Sequence, residues 1–169
     1  CPAYGGCILW NRDLDVIVED LTSCRTPAGK RFERIFMHLV LRVDDRELSV
    51  INLHLSSNRF APDGQGEPVR LGEISTALTQ VTSPAVMAGD FHAPAESRVY
   101  DHMVQAGFHE PHPEKTGVRR IDYVWIDPSQ LRAEALAMPE NFDIPDHTGT
   151  ALSDHLPVGV RLSLAEQDR

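Results

Sequence analysis

Cysteine is scarce and confined to one end of the chain. Cys1, Cys7 and Cys24 are the three cysteines of 169 residues. The number is odd, and Cys1-x5-Cys7 matches no zinc or redox spacing. They read as buried or incidental thiols, with a disulfide as the lesser alternative. A cytoplasmic location is the default expectation, with secretion left open. Basic residues are in deficit, 16 against 25 acidic ones, for a formal charge of −9. A chain that lives on non-specific DNA binding shows a basic surface. This one does not, although a local basic groove or a basic partner is compatible with it, and a small or locally gripped substrate is the simpler reading. No apolar run approaches the roughly 18–20 residues of a membrane span. Repeats, low-complexity tracts and a signal-peptide pattern are also missing. The chain opens on Cys1-Pro2 rather than Met, so the expectation is that an upstream segment has been removed or is encoded elsewhere.

What is present suits a folded chain: 41% hydrophobic and 24% charged residues, with a length that fits a single domain over residues 1–169. Cys7–Trp10 reads as a short strand after Gly5-Gly6, partnered by Val16–Val18 across the turn-forming Asn11-Arg12-Asp13. Ile35–Val43 carries apolar residues at period two, and Leu48–Leu55 returns after Asp44-Asp45, which predicts a β-hairpin. Within it Asn52 and His54 share a face. Pro68 opens a predicted helix with the stripe Leu71, Ile74, Leu78 and Val81. A buried strand over Pro84–Ala88 runs into Gly89-Asp90-Phe91-His92-Ala93-Pro94. A helix over Glu96–Ala106, closed by Gly107, follows. Further strands are expected at Ile121–Ile126, Ala133–Met138 and Leu156–Leu164, and Trp10 and Trp125 are expected in the core. The pattern predicts a mixed α/β layered fold with helices outside a sheet.

Four places put an acid or an imidazole at the end of, or inside, a buried strand: His54 beside Asn52, Asp90 with His92, Asp122, and Asp154 with His155. Singly, each has an ordinary explanation. An Asp after a strand is often a helix cap, a strand His is often a hydrogen-bonded core residue, and Asp122 could pair with Arg119 or Arg120. Buried charge is costly unless paired or metal-bound, so four such placements in one chain argue for a shared site. His109 and His112 read as solvated loop histidines before loop ligands. Arg59, Arg70, Arg119 and Arg120 read as solvated surface or as phosphate contacts.

These residues carry a resemblance. Gly89-Asp90-Phe91-His92-Ala93-Pro94 resembles the G-D-F-N-A-x-P signature of the endonuclease/exonuclease/phosphatase superfamily, which includes pancreatic-type deoxyribonucleases, abasic-site endonucleases, neutral sphingomyelinases and inositol polyphosphate phosphatases. Asn52-Leu53-His54-Leu55 is similar to its N-T-H-L strand, Arg120-Ile121-Asp122-Tyr123 to R-I-D-Y, and Ser153-Asp154-His155-Leu156-Pro157-Val158 to S-D-H-x-P-V. The resemblance implies an α/β (α+β) fold, a two-sheet β-sandwich flanked by helices, with the site at the sheet edges. It implies Asp154 and Asp90 as metal-site carboxylates for Mg²⁺ or Mn²⁺. It gives His155 to the scissile phosphate, Asp122 to orienting His155, and Asp90 also to the attacking water. His54 becomes a second imidazole and proton donor, and Asn52 supports the site or the substrate beside it.

Two departures qualify the resemblance. His92 stands where the family has an asparagine that orients nucleophile or substrate, and an added imidazole tilts metal preference towards Mn²⁺ or another transition metal. The family's early asparagine and Gln-Glu have no counterpart, since Glu19 and Glu33 sit in no such motif. The expectation is a domain lacking the N-terminal part of the usual fold, completed by a missing segment or a partner chain. The implied activity is hydrolysis of a phosphoester, foremost a phosphodiester, in nucleic acid, nucleotide, phospholipid or inositol phosphate. The alternatives are a catalytically silent binding or assembly module, or one part of a split enzyme. Asp90-Phe91-His92 is also the Asp-x-His of calcineurin-like metallophosphatases, but their later Gly-Asn-His-Asp/Glu is missing.

Overall fold

A strand with apolar residues on both faces must be covered on both sides, and Ile35–Val43 is such a strand. The computed structural model describes residues 7–19, 35–43, 45–60, 65–82, 84–112, 120–138, 153 and 155–165. The elements are β1 (Asp15–Glu19), β2 (Ile35–Val43), β3 (Arg46–His54), α1 (Gly66–Leu78), β4 (Ala85–Asp90), α2 (Arg98–Gln105), β5 (Asp122–Ile126), β6 (Leu131–Ala135) and β7 (Val160–Leu164). Five strands form one sheet in the order β1-β2-β3-β4-β5, and β6 pairs with β7 in a second. The β3–β4 pair is parallel and crosses over through α1, while its neighbours are antiparallel. This is the expected α/β architecture with a helix layer and a second, smaller sheet.

Alternation along the strands separates two cores. Phe36, Ile51, Leu53, Leu55, Met87, Tyr123 and Trp125 face the helices, where they meet Ile74, Ala77, Val99 and Met103. Leu48, Val86, Val124 and Ile126 face the other way and pack with Leu131, Ala133, Val160 and Leu162 of β6–β7. The apolar stretch of that second face covers only one end of the strands. Beyond it the same face continues, two residues at a time, into Asn52 and His54, Ala88 and Asp90, and Asp122.

Helix ends follow local chemistry. Ser97 caps α2 by accepting from the Tyr100 N–H at 3.2 Å. Gly107, at φ +89°, closes it, with Gly107 N–H donating to Val104 and Phe108 N–H to Met103. Those two bonds are the Schellman pattern. Helix α1 starts at Gly66, two residues before the expected Pro68, because a proline is tolerated throughout a first turn whose N–H groups have no helical partner.

Several expectations are corrected. Cys7–Trp10 is not a strand. The turn at Asn11 forms, with Leu14 N–H on the Asn11 carbonyl, but β1 takes β2 as its partner instead of the preceding segment. Trp10 is accordingly 44% exposed rather than core, whereas Trp125 is buried as expected. The sixth strand begins earlier than Ala133 and ends at Ala135. The last is confined to Val160–Leu164, since the Pro157 nitrogen has no hydrogen to donate to a ladder. The expected loops over Cys24–Lys30 and Pro139–Thr150, and Glu33 and Arg119, lie outside the described residues.

Candidate functional site

Register builds the site. His54 of β3 pairs with Asp90 of β4, and Asp90 pairs with Asp122 of β5. Paired residues point to the same face, so one imidazole and two carboxylates stand in a row across three adjacent strands. The row lies at the strand ends on one face rather than along a sheet edge.

The chain around Asp90 is locked. Gly89 has φ +137°, and a Cβ there would lie 1.9 Å from the Leu53 carbonyl oxygen, so only glycine lets β3 and β4 approach this closely. Asp90 keeps its backbone in the sheet, its carbonyl accepting from Leu55 N–H at 2.9 Å. Phe91 turns to the opposite face, where its ring meets Tyr123 edge-on at 5.7 Å. His92 then adopts φ +48°, a left-handed conformation that Asn, Asp and His enter more readily than other side chains. Its N–H donates to Asp90 Oδ1 at 2.7 Å. The turn therefore needs glycine first and accepts histidine where asparagine would also fit.

The side chains fall into two groups that share Asp90. On one side, His54 Nε2 lies 3.1 Å from His92 Nε2, and Asp90 Oδ2 is 3.7 Å from the former and 3.4 Å from the latter. On the other, His155 Nδ1 is 2.7 Å from Asp122 Oδ2. Asp90, Asp122 and His155 bring donor atoms within 4.8 Å of one another, as do His54, Asp90 and His92. The Asp90 side chain is 11% exposed. Two carboxylates this close on a half-buried row repel unless a proton or cation lies between them. With imidazoles on both flanks, the donor set suits a divalent ion.

His54, Asp90, His92, Asp122 and His155 are thus brought together. Asn52 is on the same face, but its amide donates to the Cys7 carbonyl at 3.0 Å, tying the N-terminal segment beside the row. Asp154 lies outside the described residues. Cys7 is an exposed free thiol.

Three further expectations change. His112 is not solvated: its Nδ1 is 2.8 Å from Glu110 Oε1 and its Nε2 2.9 Å from the Gly159 carbonyl. Arg120 does not pair with Asp122, and only part of its side chain meets solvent. Its Nη2 donates to Glu110 Oε2 at 2.5 Å, and its guanidinium lies over the Tyr123 ring. Arg70 is buried and donates to the Ser56 carbonyl and Asn58 Oδ1, while Glu73 accepts from Ser56 N–H and Oγ. These bonds pin the loop that leaves His54. Arg59 and His109 are exposed. Sequence reading missed the Glu110 clamp and the Arg70–Glu73 brace. The signal available was two charged residues three apart on the buried face of a helix that follows a Ser-Ser-Asn turn.

Tyr123 joins the two halves of the site. Its hydroxyl is 3.0 Å from both the Ala93 and Arg120 carbonyls, and its one proton serves one of them at a time. Burial pushes its pKa up to about 12, against a smaller opposing pull from the Arg120 guanidinium.

Searches against family models and against curated proteins return no match. Solved structures do match. The human Nocturnin catalytic domain with bound sulfate aligns with a TM-score of 0.59 at 17% identity, over 90% of this chain and 60% of that one. An endonuclease/exonuclease/phosphatase protein from Beutenbergia cavernae aligns at 0.57 and 19% identity, over 89% and 44%. Sphingomyelinase C from Streptomyces griseocarneus aligns at 0.50 and 17%, over 86% and 61%. The fold is therefore that of the endonuclease/exonuclease/phosphatase proteins. This chain spans 44% to 61% of the length of the three solved chains.

Proposed function

We propose that the chain carries the catalytic face of a divalent-metal-dependent phosphoester hydrolase acting on a phosphodiester. The observation that supports it most is the row itself: the His155–Asp122 pair at 2.7 Å, Asp90 beside it, and His54 and His92 across from it. Asp122 accepts from His155 Nδ1, which fixes the ring and leaves the opposite nitrogen to face a phosphate oxygen. Asp90 orients a water for in-line attack and takes its proton. His54 delivers a proton to the leaving oxygen, while His92 orients substrate or nucleophile and Asn52 steadies the neighbouring segment. Asp90 and Asp154 would hold Mg²⁺ or Mn²⁺. A bound divalent cation supplies neutralisation of the phosphate and lowers the pKa of water.

The formal charge of −9 favours a small or locally gripped phosphoester over long duplex DNA. A nucleotide, a phospholipid headgroup or an inositol phosphate has that character. The sphingomyelinase among the similar folds is, by its name, an enzyme of the phospholipid kind. The test is hydrolysis of bis-p-nitrophenyl phosphate by the full-length protein. Turnover with Mg²⁺ or Mn²⁺, abolished by EDTA and reduced by about 10²-fold or more in His155→Ala, is expected. Turnover that persists in excess chelator overturns the proposal.

A catalytically silent binding module is the second reading. One observation favours it: His54 and His92 face each other at 3.1 Å, which engages the proton that hydrolysis would need. Calorimetry separates the two, because a silent module that takes up no Mg²⁺ or Mn²⁺ at millimolar concentration leaves nothing for the reaction to use.

A further inference from the structure

The three donor atoms on the His54 side of Asp90 have a spacing of their own. Their separations are 3.1 Å between the imidazole nitrogens and 3.4 and 3.7 Å from Asp90 Oδ2 to each of them. Zinc bonds of about 2.0–2.2 Å at tetrahedral angles set neighbouring donors about 3.3–3.6 Å apart. Magnesium at about 2.1 Å demands octahedral angles, which set donors about 3.0 Å apart, and it prefers oxygen. A triangle with the observed sides has a circumradius of about 2.0 Å. A point about 2.1 Å from all three atoms therefore lies about 0.7 Å outside their plane, which is where the centre of a regular tetrahedron stands relative to one face.

The surroundings hold that triangle in place without an ion. His54 and Asp90 are register partners on adjacent strands. Asp90 Oδ1 is engaged by the His92 N–H at 2.7 Å, which directs Oδ2 to the two imidazoles. Two nitrogens and one carboxylate form a donor set suited to transition metals. The three side chains are 30%, 11% and 20% exposed for His54, Asp90 and His92, so the group is accessible from solvent.

We infer that His54, Asp90 and His92 form a tetrahedral site for a zinc-class transition-metal ion, with the fourth position left to water or a substrate oxygen. This rests on the hydrolase reading for a divalent ion beside Asp90, replaces the proton-delivery and orienting roles of His54 and His92 there by ligation, and is tested without substrate. The full-length protein is titrated with Co²⁺ as a spectroscopic stand-in for zinc. One equivalent should develop the strong visible absorption of four-coordinate cobalt, and Zn²⁺ should bleach it. His54→Gln and His92→Asn should each weaken cobalt binding by more than the about 10–100-fold that loss of an outer partner produces. Asn fits the backbone at position 92, so His92→Asn remains informative should His54→Gln fail to fold, with far-UV circular dichroism as the check. His109→Gln, at an exposed histidine outside both groups, should leave spectrum and affinity unchanged.

A weak, octahedral cobalt spectrum overturns the inference. So does a site lost in His155→Gln and retained in His54→Gln, which would move the ion to the Asp122 side. Mg²⁺-supported hydrolysis without tetrahedral cobalt overturns this inference and leaves the hydrolase standing. Tetrahedral cobalt in a chain that hydrolyses no phosphodiester with any divalent ion supports the inference and removes the hydrolase.

Discussion

Asp122 does one job that asparagine cannot. It accepts from His155 Nδ1, and an amide in its place can donate to that nitrogen instead, which reverses the ring's tautomer. Asp122→Asn should therefore lower kcat by about 10²–10⁴-fold with little change in KM, checked by steady-state kinetics on a chromogenic phosphodiester. Gly89 is the complementary case, where backbone rather than chemistry decides. A methyl group at 1.9 Å from the Leu53 carbonyl oxygen must part β3 from β4. Gly89→Ala should cost about 3 kcal/mol or more in denaturant unfolding. Tyr123 makes the pH prediction. Its pKa is about 12 when folded and 10.0 otherwise, so the unfolded chain loses the phenolic proton first. Stability from this group is present below pH 10, falls as pH rises from 10 to 12, and over that span is worth about 2–3 kcal/mol. Tyr123→Phe should flatten that alkaline limb relative to the parent in chemical denaturation at stepped pH. At this scale the candidates were legible in the sequence, because Asp and His inside apolar strand patterns are conspicuous. It could not tell that His112 belongs to Glu110 or that Arg120 ignores Asp122, since those pairings depend on which loops meet.

Elements show the same division. The helix periodicity of Leu71, Ile74, Leu78 and Val81 and the hairpin alternation were readable because local spacing is set by 3.6 and 2.0 residues per repeat. The strand expected at Cys7–Trp10 does not form: β1 pairs with β2 through one edge, and among the described residues its other edge takes no strand, so an apolar run alone does not make a strand. The Glu110 clamp works between elements: it ties the segment after α2 to the entry of β5 through Arg120, and His112 reaches Gly159 ahead of β7. The Glu110 carboxylate is almost fully buried, so its removal strands two partners. Glu110→Ala should lower unfolding free energy by about 3 kcal/mol and should reduce hydrolysis through displacement of Asp122, two residues beyond Arg120. Thermal melts and kinetics on the same preparation check both effects.

For the whole molecule, two carboxylates and three imidazoles on one row repel or compete when no ion is present. An ion that binds the folded chain alone stabilises it by mass action, about 2.7 kcal/mol at a free concentration one hundred times Kd. EDTA should therefore lower the melting temperature, and Mn²⁺ or Zn²⁺ should restore it in a saturable way. A melting temperature indifferent to both would mean that the row holds no ion. Among the described residues no helix is long and apolar enough to cross a membrane. The two-sheet, helix-flanked architecture expected from the sequence is the one observed.

The sequence by itself determined which acids and imidazoles stand within apolar strand patterns and which strands present them, because side-chain type and local periodicity are properties of neighbouring residues. Only the tertiary structure decided that His54, Asp90 and Asp122 share one row, that His92 turns back to His54, and that Glu110 rather than Asp122 holds Arg120. Those facts are settled by strand register and loop meeting between segments distant in the chain, where the choice depends on competition among all available partners rather than on the spelling of any one of them.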